Sequence, residues 1–337
     1  MKVVLVAPPS ITVPPLKYGG TQRVVFWLAI GLSEQGHDVT ILAKKGSYIN
    51  DKINVIEIPD KITDKEVVEY LPESFDIVHF HIKLNFEPSF PYLQTLHGNC
   101  KNDEFLPQNI SFVSKKHAQN HGGNFFVYNG LDINNFEFSA SHNNYFSYIG
   151  KINADYKNSS YAVHLAKKIG FDLKLAGGWR PSFRSNINYL GKVGGQNKID
   201  FLKNARALIF PTAWEEPMGL VVIESLACGA PVIVSDRGSM PELVSEEVGF
   251  VCKNEIDYIN AIENIDQIDQ RNCREYIENN FTHSIMTDNY LKLYKKILNN
   301  PENNLHDSHN KDLNDKDNLG YENRKKVSFL RKLRDIF

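Results

Sequence analysis

Short, nearly continuous apolar runs recur along the chain and alternate with stretches of helical spacing. The first run covers residues 2–7 and leads into a proline-rich loop over 8–20 that closes on Tyr18-Gly19-Gly20. Apolar residues then recur at helical intervals over 21–35, stop at Gly36, and give way to a second run at 38–42. Short apolar runs bounded by turn residues predict strands covered on both faces, as in a parallel sheet, and the periodic interval predicts the crossover helix between them. Further runs at 55–58, 76–80, 92–96, 110–113 and 125–128, with a helix over 114–121 capped by Ser114, extend this opening into one domain.

The pattern then restarts. After a polar crossing at 136–144, strands are predicted at 145–149, 173–176, 207–210, 232–234 and 248–252. Helical spacing falls at 194–204, from about residue 219, at 255–264 and at 267–279. A last helix over 282–298 carries Ile285, Tyr290, Leu291, Leu293, Tyr294 and Ile297. The class is therefore α/β, with two doubly wound, Rossmann-like domains over residues 1–140 and 141–281.

Composition agrees with two ordinary cores. A chain of 337 residues is too long for one small core, and 42% hydrophobic residues are enough to fill two. A net charge of -2 argues against nucleic acid as the main partner. Cys100, Cys228, Cys252 and Cys273 show no C-x-x-C pairing and lie on or beside apolar segments, which predicts reduced, structural thiols in a cytoplasmic protein. The N-terminus runs straight into a strand, so neither a signal peptide nor a spanning helix is expected. Residues 299–320 read as a polar linker, and the Asp315-Lys316-Asp317 triplet inside it as accidental. Residues 321–337 place Val327, Leu330, Leu333 and Phe337 at helical spacing among basic residues, the pattern of an amphipathic tail that contacts the inner face of a membrane or docks on the protein.

The chemistry concentrates in residues 214–241. Glu215, Glu216 and Pro217 precede a helix beginning near Gly219 that carries Glu224 among apolar neighbours. The backbone N–H groups of Met218, Gly219 and Leu220 lie at the positive end of that helix and suit a phosphate. Glutamates on either side accept hydrogen bonds from hydroxyls, and a diphosphate flanked by polyols is a nucleotide sugar. A lone Glu224 in an apolar helix also needs a partner if it is buried. At the carboxyl end of the first strand, Gly19 and Gly20 permit close backbone approach to a ligand, although the G-x-G-x-x-G of a dinucleotide site is missing. His79, His81 and His97 also fall at strand ends, and no cysteine or carboxylate has ligand spacing with them, so no metal is expected.

Glu216 and Glu224, eight positions apart with Pro217 and Gly219 between, resemble the signature of family 4 retaining glycosyltransferases of GT-B fold, the bacterial group 1 type. Gly19-Gly20-Thr21-Gln22-Arg23, Thr95-Leu96-His97-Gly98 and Asn129-Gly130-Leu131-Asp132 resemble other elements of that family. The resemblance implies that Glu216 contacts the donor sugar, Glu224 the ribose, and that His97 lies near the reacting centre. It further implies two cations on the donor diphosphate, but here Lys151 replaces an arginine, Lys157 lies one residue late, and Asn158 replaces a glycine. The last helix should cross back onto the first domain. The implied reaction moves a sugar from a UDP- or GDP-sugar to a hydroxyl of a saccharide or lipid-linked acceptor, with retention and no metal cofactor. A nucleotide-sugar epimerase or phosphorylase of similar fold, or a non-catalytic sugar-binding protein, are the alternatives.

Overall fold

The computed structural model describes residues 1–305 apart from 17, 18, 102, 301 and 303. The polar linker from 306 onward and the basic tail over 321–337 lie outside the described residues.

The first domain contains β1 (Lys2–Val6), α1 (Gly20–Glu34), β2 (Asp38–Lys44), β3 (Asn54–Ile58), β4 (Ile77–Phe80), β5 (Tyr92–Leu96), β6 (Ile110–Phe112) and the short α2 (Lys115–Asn120). Its strands form one sheet in the order β3-β2-β1-β4-β5-β6. Every pairing in that sheet is parallel. The second domain contains β7 (Phe146–Ile149), α3 (Ser159–Ile169), β8 (Leu173–Ala176), β9 (Ile187–Tyr189), α4 (Gly195–Lys203), β10 (Ala207–Phe210), α5 (Leu220–Ala227), β11 (Val232–Ser235), α6 (Met240–Leu243), β12 (Gly249–Cys252), α7 (Glu255–Asn264) and α8 (Gln270–Asn280). Its sheet runs β12-β11-β10-β7-β8-β9, again parallel throughout. Doubly wound sheets bind ligands at the carboxyl ends of the strands where the order reverses. In the second domain these ends are those of β7 and β10, followed by Gly150-Lys151 and by residues 211–219.

The apolar runs became strands because both faces are covered: all four residues of β4, β10 and β11 are buried, as are all five of β5. The run at 125–128 did not become one. It makes a single parallel bridge, Phe112 to Phe126, before the chain turns through Asn129 and Gly130 to meet Thr282. Two elements lie outside the predicted set. β9 is an edge strand with only Ile187 buried, so its pattern is weak, whereas α3 carries Ala162, Leu165, Ala166 and Ile169 at helical spacing and was legible but not assigned.

From α8 the chain re-enters the first domain. Leu131 bridges Thr282, and α9 (His283–Asn299) then packs along α1, with Thr287 seated on Gly31. Tyr290 and Tyr294 of α9 are fully buried. Among the described residues no helix is long and apolar enough to cross a membrane.

Candidate active site

The loop between β10 and α5 is the centre of the site. Gly219, which precedes the helix, has φ 67°. That left-handed backbone disfavours any side chain, and a Cβ there would also lie 2.6 Å from Met240 Cε. No acceptor among the described residues takes the backbone N–H groups of Met218, Gly219 and Leu220. The start of α5 is thus an open set of donors at the positive end of an eight-residue helix.

A buried glutamate stands on either side of this helix end, and each holds a lysine. Glu216, 9% exposed, pairs with Lys157 and accepts a 2.6 Å hydrogen bond from Trp214 Nε1. Glu224, 4% exposed, pairs with Lys198 of α4 at 2.5 Å. Burial of one carboxylate without a cation is costly, so each lysine is a condition of its glutamate being there. The residue 155–157 turn holds Lys157 in place. Tyr148 OH donates to Lys157 O at 2.9 Å, Ala213 N donates to Tyr156 O at 2.9 Å, and Asn158 Nδ2 donates to Pro211 O at 3.0 Å. The Lys157 ammonium also lies 4.9 Å from the centre of the Trp214 ring, within cation–π reach. Asn158, at φ 55°, takes the left-handed conformation that glycine favours, which is how asparagine stands in at this position.

Of the two cations the resemblance implies, the structure seats Lys157 against Glu216 and leaves Lys151 solvent-exposed at the end of β7. Lys198 is the residue that sequence reasoning missed. The need of Glu224 for a partner was visible, but nothing in the spacing of 194–204 distinguishes Lys198 from its polar neighbours.

The first domain faces this loop closely. A Cβ on Gly20, at the start of α1, would lie 3.2 Å from Leu220 Cδ1, so a side chain there would push Leu220 aside where the two helix N-termini approach across the cleft. Gly19 precedes it at φ 150°. Asn99 Nδ2 donates to Glu215 O at 2.8 Å, and Ser114 Oγ donates to Pro217 O at 2.6 Å. From α6, Glu242 crosses to the start of α2. Its carboxylate accepts from Lys115 N at 3.0 Å, Lys116 N at 2.5 Å and Tyr128 OH at 2.8 Å. Burial holds the Glu242 carboxyl above its ordinary value, against the pull of these donors. Glu215 and Glu242 thus tie the domains together, a role that nothing in the local sequence assigns to them.

The three strand-end histidines form a chain and do not converge on one point. His79 bonds Tyr294 OH through Nδ1 at 2.6 Å and Thr95 Oγ1 through Nε2 at 2.7 Å, so both its nitrogens serve the packing of α9. His81 Nδ1 lies 2.8 Å from His97 Nε2. Burial pushes the pKa of His97 down to about 3 and that of His79 and His81 well below the usual value, which keeps all three neutral. Among the described residues no group of three or more His, Cys, Asp or Glu side chains is placed to hold a metal ion.

Residues 182–283 match the family model described as Glycosyl transferases group 1. The chain is 33% identical over 75 residues to the O-antigen chain mannosyltransferase B of Escherichia coli, covering 22% of this chain and 19% of that protein. The curated relatives it matches align over a third of their own length or less. Among solved structures, AviGT4, a glycosyltransferase involved in Avilamycin A biosynthesis, superposes with a TM-score of 0.75 at 22% identity, over 88% of this chain and 98% of that one. HepE of Anabaena in complex with UDP and glucose superposes with a TM-score of 0.64 at 14% identity, over 87% and 98% of the two chains. The fold is GT-B, two α/β domains facing a cleft.

Proposed function

We propose that the protein is a retaining glycosyltransferase that moves a sugar from a nucleoside-diphosphate donor to a hydroxyl acceptor in the synthesis of a cell-envelope polysaccharide or glycolipid. The observation that carries this reading is the pair of buried, lysine-held glutamates flanking the open N-terminus of α5. The helix donors suit the diphosphate, Glu216 the sugar hydroxyls and Glu224 the ribose. Lys157, paired with Glu216 beside the helix start, offers the phosphates a point charge. Lys151, exposed at the end of β7, is the second cation in this reading. His97 stands on the opposite wall beside the reacting carbon.

In this scheme the bond from the anomeric carbon to the phosphate oxygen breaks and one to the acceptor oxygen forms on the same face. The acceptor proton passes to the departing diphosphate. No side chain is a nucleophile, and the protein's part is to orient both substrates and to stabilise the leaving group. UDP- and GDP-sugars are the donor classes we favour. The E. coli mannosyltransferase named above supports a saccharide acceptor, and the UDP and glucose seen with HepE support the donor class. A cytoplasmic site, with the 321–337 tail as a membrane contact, fits a lipid-linked acceptor.

The test is a screen of UDP- and GDP-sugars by thermal shift. A cognate donor at a hundred times its Kd stabilises the fold by about 2.7 kcal/mol. NMR of the product with an acceptor panel should then show the donor's anomeric configuration retained. If no nucleotide sugar moves the melting temperature, the reading fails. A donor epimerised without acceptor replaces it with an epimerase.

A further inference from the structure

His81 and His97 share a hydrogen bond of 2.8 Å between His81 Nδ1 and His97 Nε2. Between neutral imidazoles, one ring must donate and the other accept, and each ring has a single proton. The choice is decided at the far nitrogen of His81. That residue is 4% exposed, and its Nε2 is sealed with no partner. If His97 were the donor, His81 would carry its proton on Nε2 and bury an N–H with no acceptor. If His81 is the donor, its Nε2 buries only an unused lone pair. Buried N–H groups without acceptors are the rarer of the two.

The His81 ring is held where this choice matters. Its backbone N–H donates to Val6 O at 2.9 Å, and its ring lies 4.0 Å from that of His79, centre to centre. His79 is itself locked by Tyr294 and Thr95. His97 Nδ1 has no protein partner among the described residues and, unlike His81 Nε2, is not among the sealed atoms. It is therefore the atom His97 offers to a ligand, two residues before the Asn99 that reaches the Glu215 backbone.

We propose that His81 is a positioning residue that sets the tautomer of His97, so that His97 presents an uncharged Nδ1–H donor to an oxygen of the bound sugar. A histidine in water prefers its proton on Nε2, so the opposite tautomer requires a donor like His81 on the other side of the ring. The ligand half of this proposal rests on the glycosyltransferase reading; the tautomer half does not.

The experiment is ring-nitrogen NMR on the full chain labelled with ¹⁵N-histidine, with His97 assigned by loss of its signals in His97→Gln. The expected result is a neutral His97 protonated on Nδ1 in the ligand-free wild type. A proton on Nε2 overturns the proposal, whatever the protein's activity. In His81→Met, whose thioether can accept but cannot donate, the proton should move to Nε2. With a donor in hand, kcat/KM of that variant should then fall about tenfold, the size of one lost neutral hydrogen bond. A switched tautomer with an unchanged rate overturns the role assigned to the Nδ1 donor. If no nucleotide sugar binds, the tautomer measurement still stands and only the sugar is withdrawn.

Discussion

The two walls of the cleft are built on opposite electrostatic plans. The second-domain wall is charged and paired: Glu216 with Lys157, Glu224 with Lys198, both beside an open helix N-terminus. At the strand ends of the first domain, His79, His81 and His97 are instead held uncharged by burial, with His79 braced by Tyr294 and Thr95. A charged wall suits a ligand of fixed negative charge, since the helix-end N–H groups and nearby ammonium groups oppose that charge. A neutral wall suits a transfer step in which an extra full charge near the reacting carbon would be misplaced. The difference predicts that removing a group on the charged side disturbs both stability and rate, whereas the neutral side answers mainly through hydrogen-bond geometry.

The largest expected effect is on Glu216. Glu216→Ala should lower kcat/KM by about 10²–10³ or more, measured as steady-state transfer, while circular dichroism stays native. An active variant would remove the centre of the charged wall. Next in size is Lys198→Met, which leaves Glu224 buried without its cation and should cost about 3–5 kcal/mol in urea unfolding. Adding Glu224→Gln should restore most of that stability, and equal losses in single and double variants would show that the pair is not coupled.

A smaller effect belongs to Glu242, which joins the walls. Its pKa is raised above the ordinary 4.5, so the folded state holds this proton more tightly than the unfolded chain. Stability attributable to Glu242 should be greatest below that ordinary value and decline as pH rises through the folded one, with a slope of at most about 1.4 kcal/mol per pH unit. Glu242→Gln should flatten that slope in urea titrations at several pH values; a slope unchanged in the variant assigns it elsewhere. The smallest effect is expected of pH on the neutral wall. With His97 held at about 3, the rate between about pH 6 and 8 should show no inflection from this residue. An inflection near the ordinary histidine value of about 6.5 that disappears in His97→Gln would place a charged imidazole on the neutral wall and erase the contrast.

How far the site could be read in advance also differs between the walls. Glu216, Glu224, Pro217 and Gly219 lie within one local segment, and their chemistry follows from a strand, a turn and a helix start. Lys157 was expected only as a cation for the diphosphate and Lys198 not at all: they lie 59 and 26 residues from Glu216 and Glu224, so spacing carried no sign of either pairing. Glu215, next to Glu216 in the chain, instead joins the domains: its backbone oxygen accepts from Asn99, and its carboxylate accepts from Asn120 Nδ2 and Gly238 N. The 125–128 run failed as a strand because the chain must turn at Gly130 to reach Thr282, a demand made by another part of the molecule.

By itself, the sequence determined most of the strands and crossovers and the helix-start donors, because burial on two faces and helical period are written in neighbouring residues. Which lysine answers which glutamate, which histidine nitrogen faces the cleft, and how Glu242 and α9 join the domains were decided only by the tertiary structure. Those depend on distances between elements far apart in the chain, and only packing sets such distances.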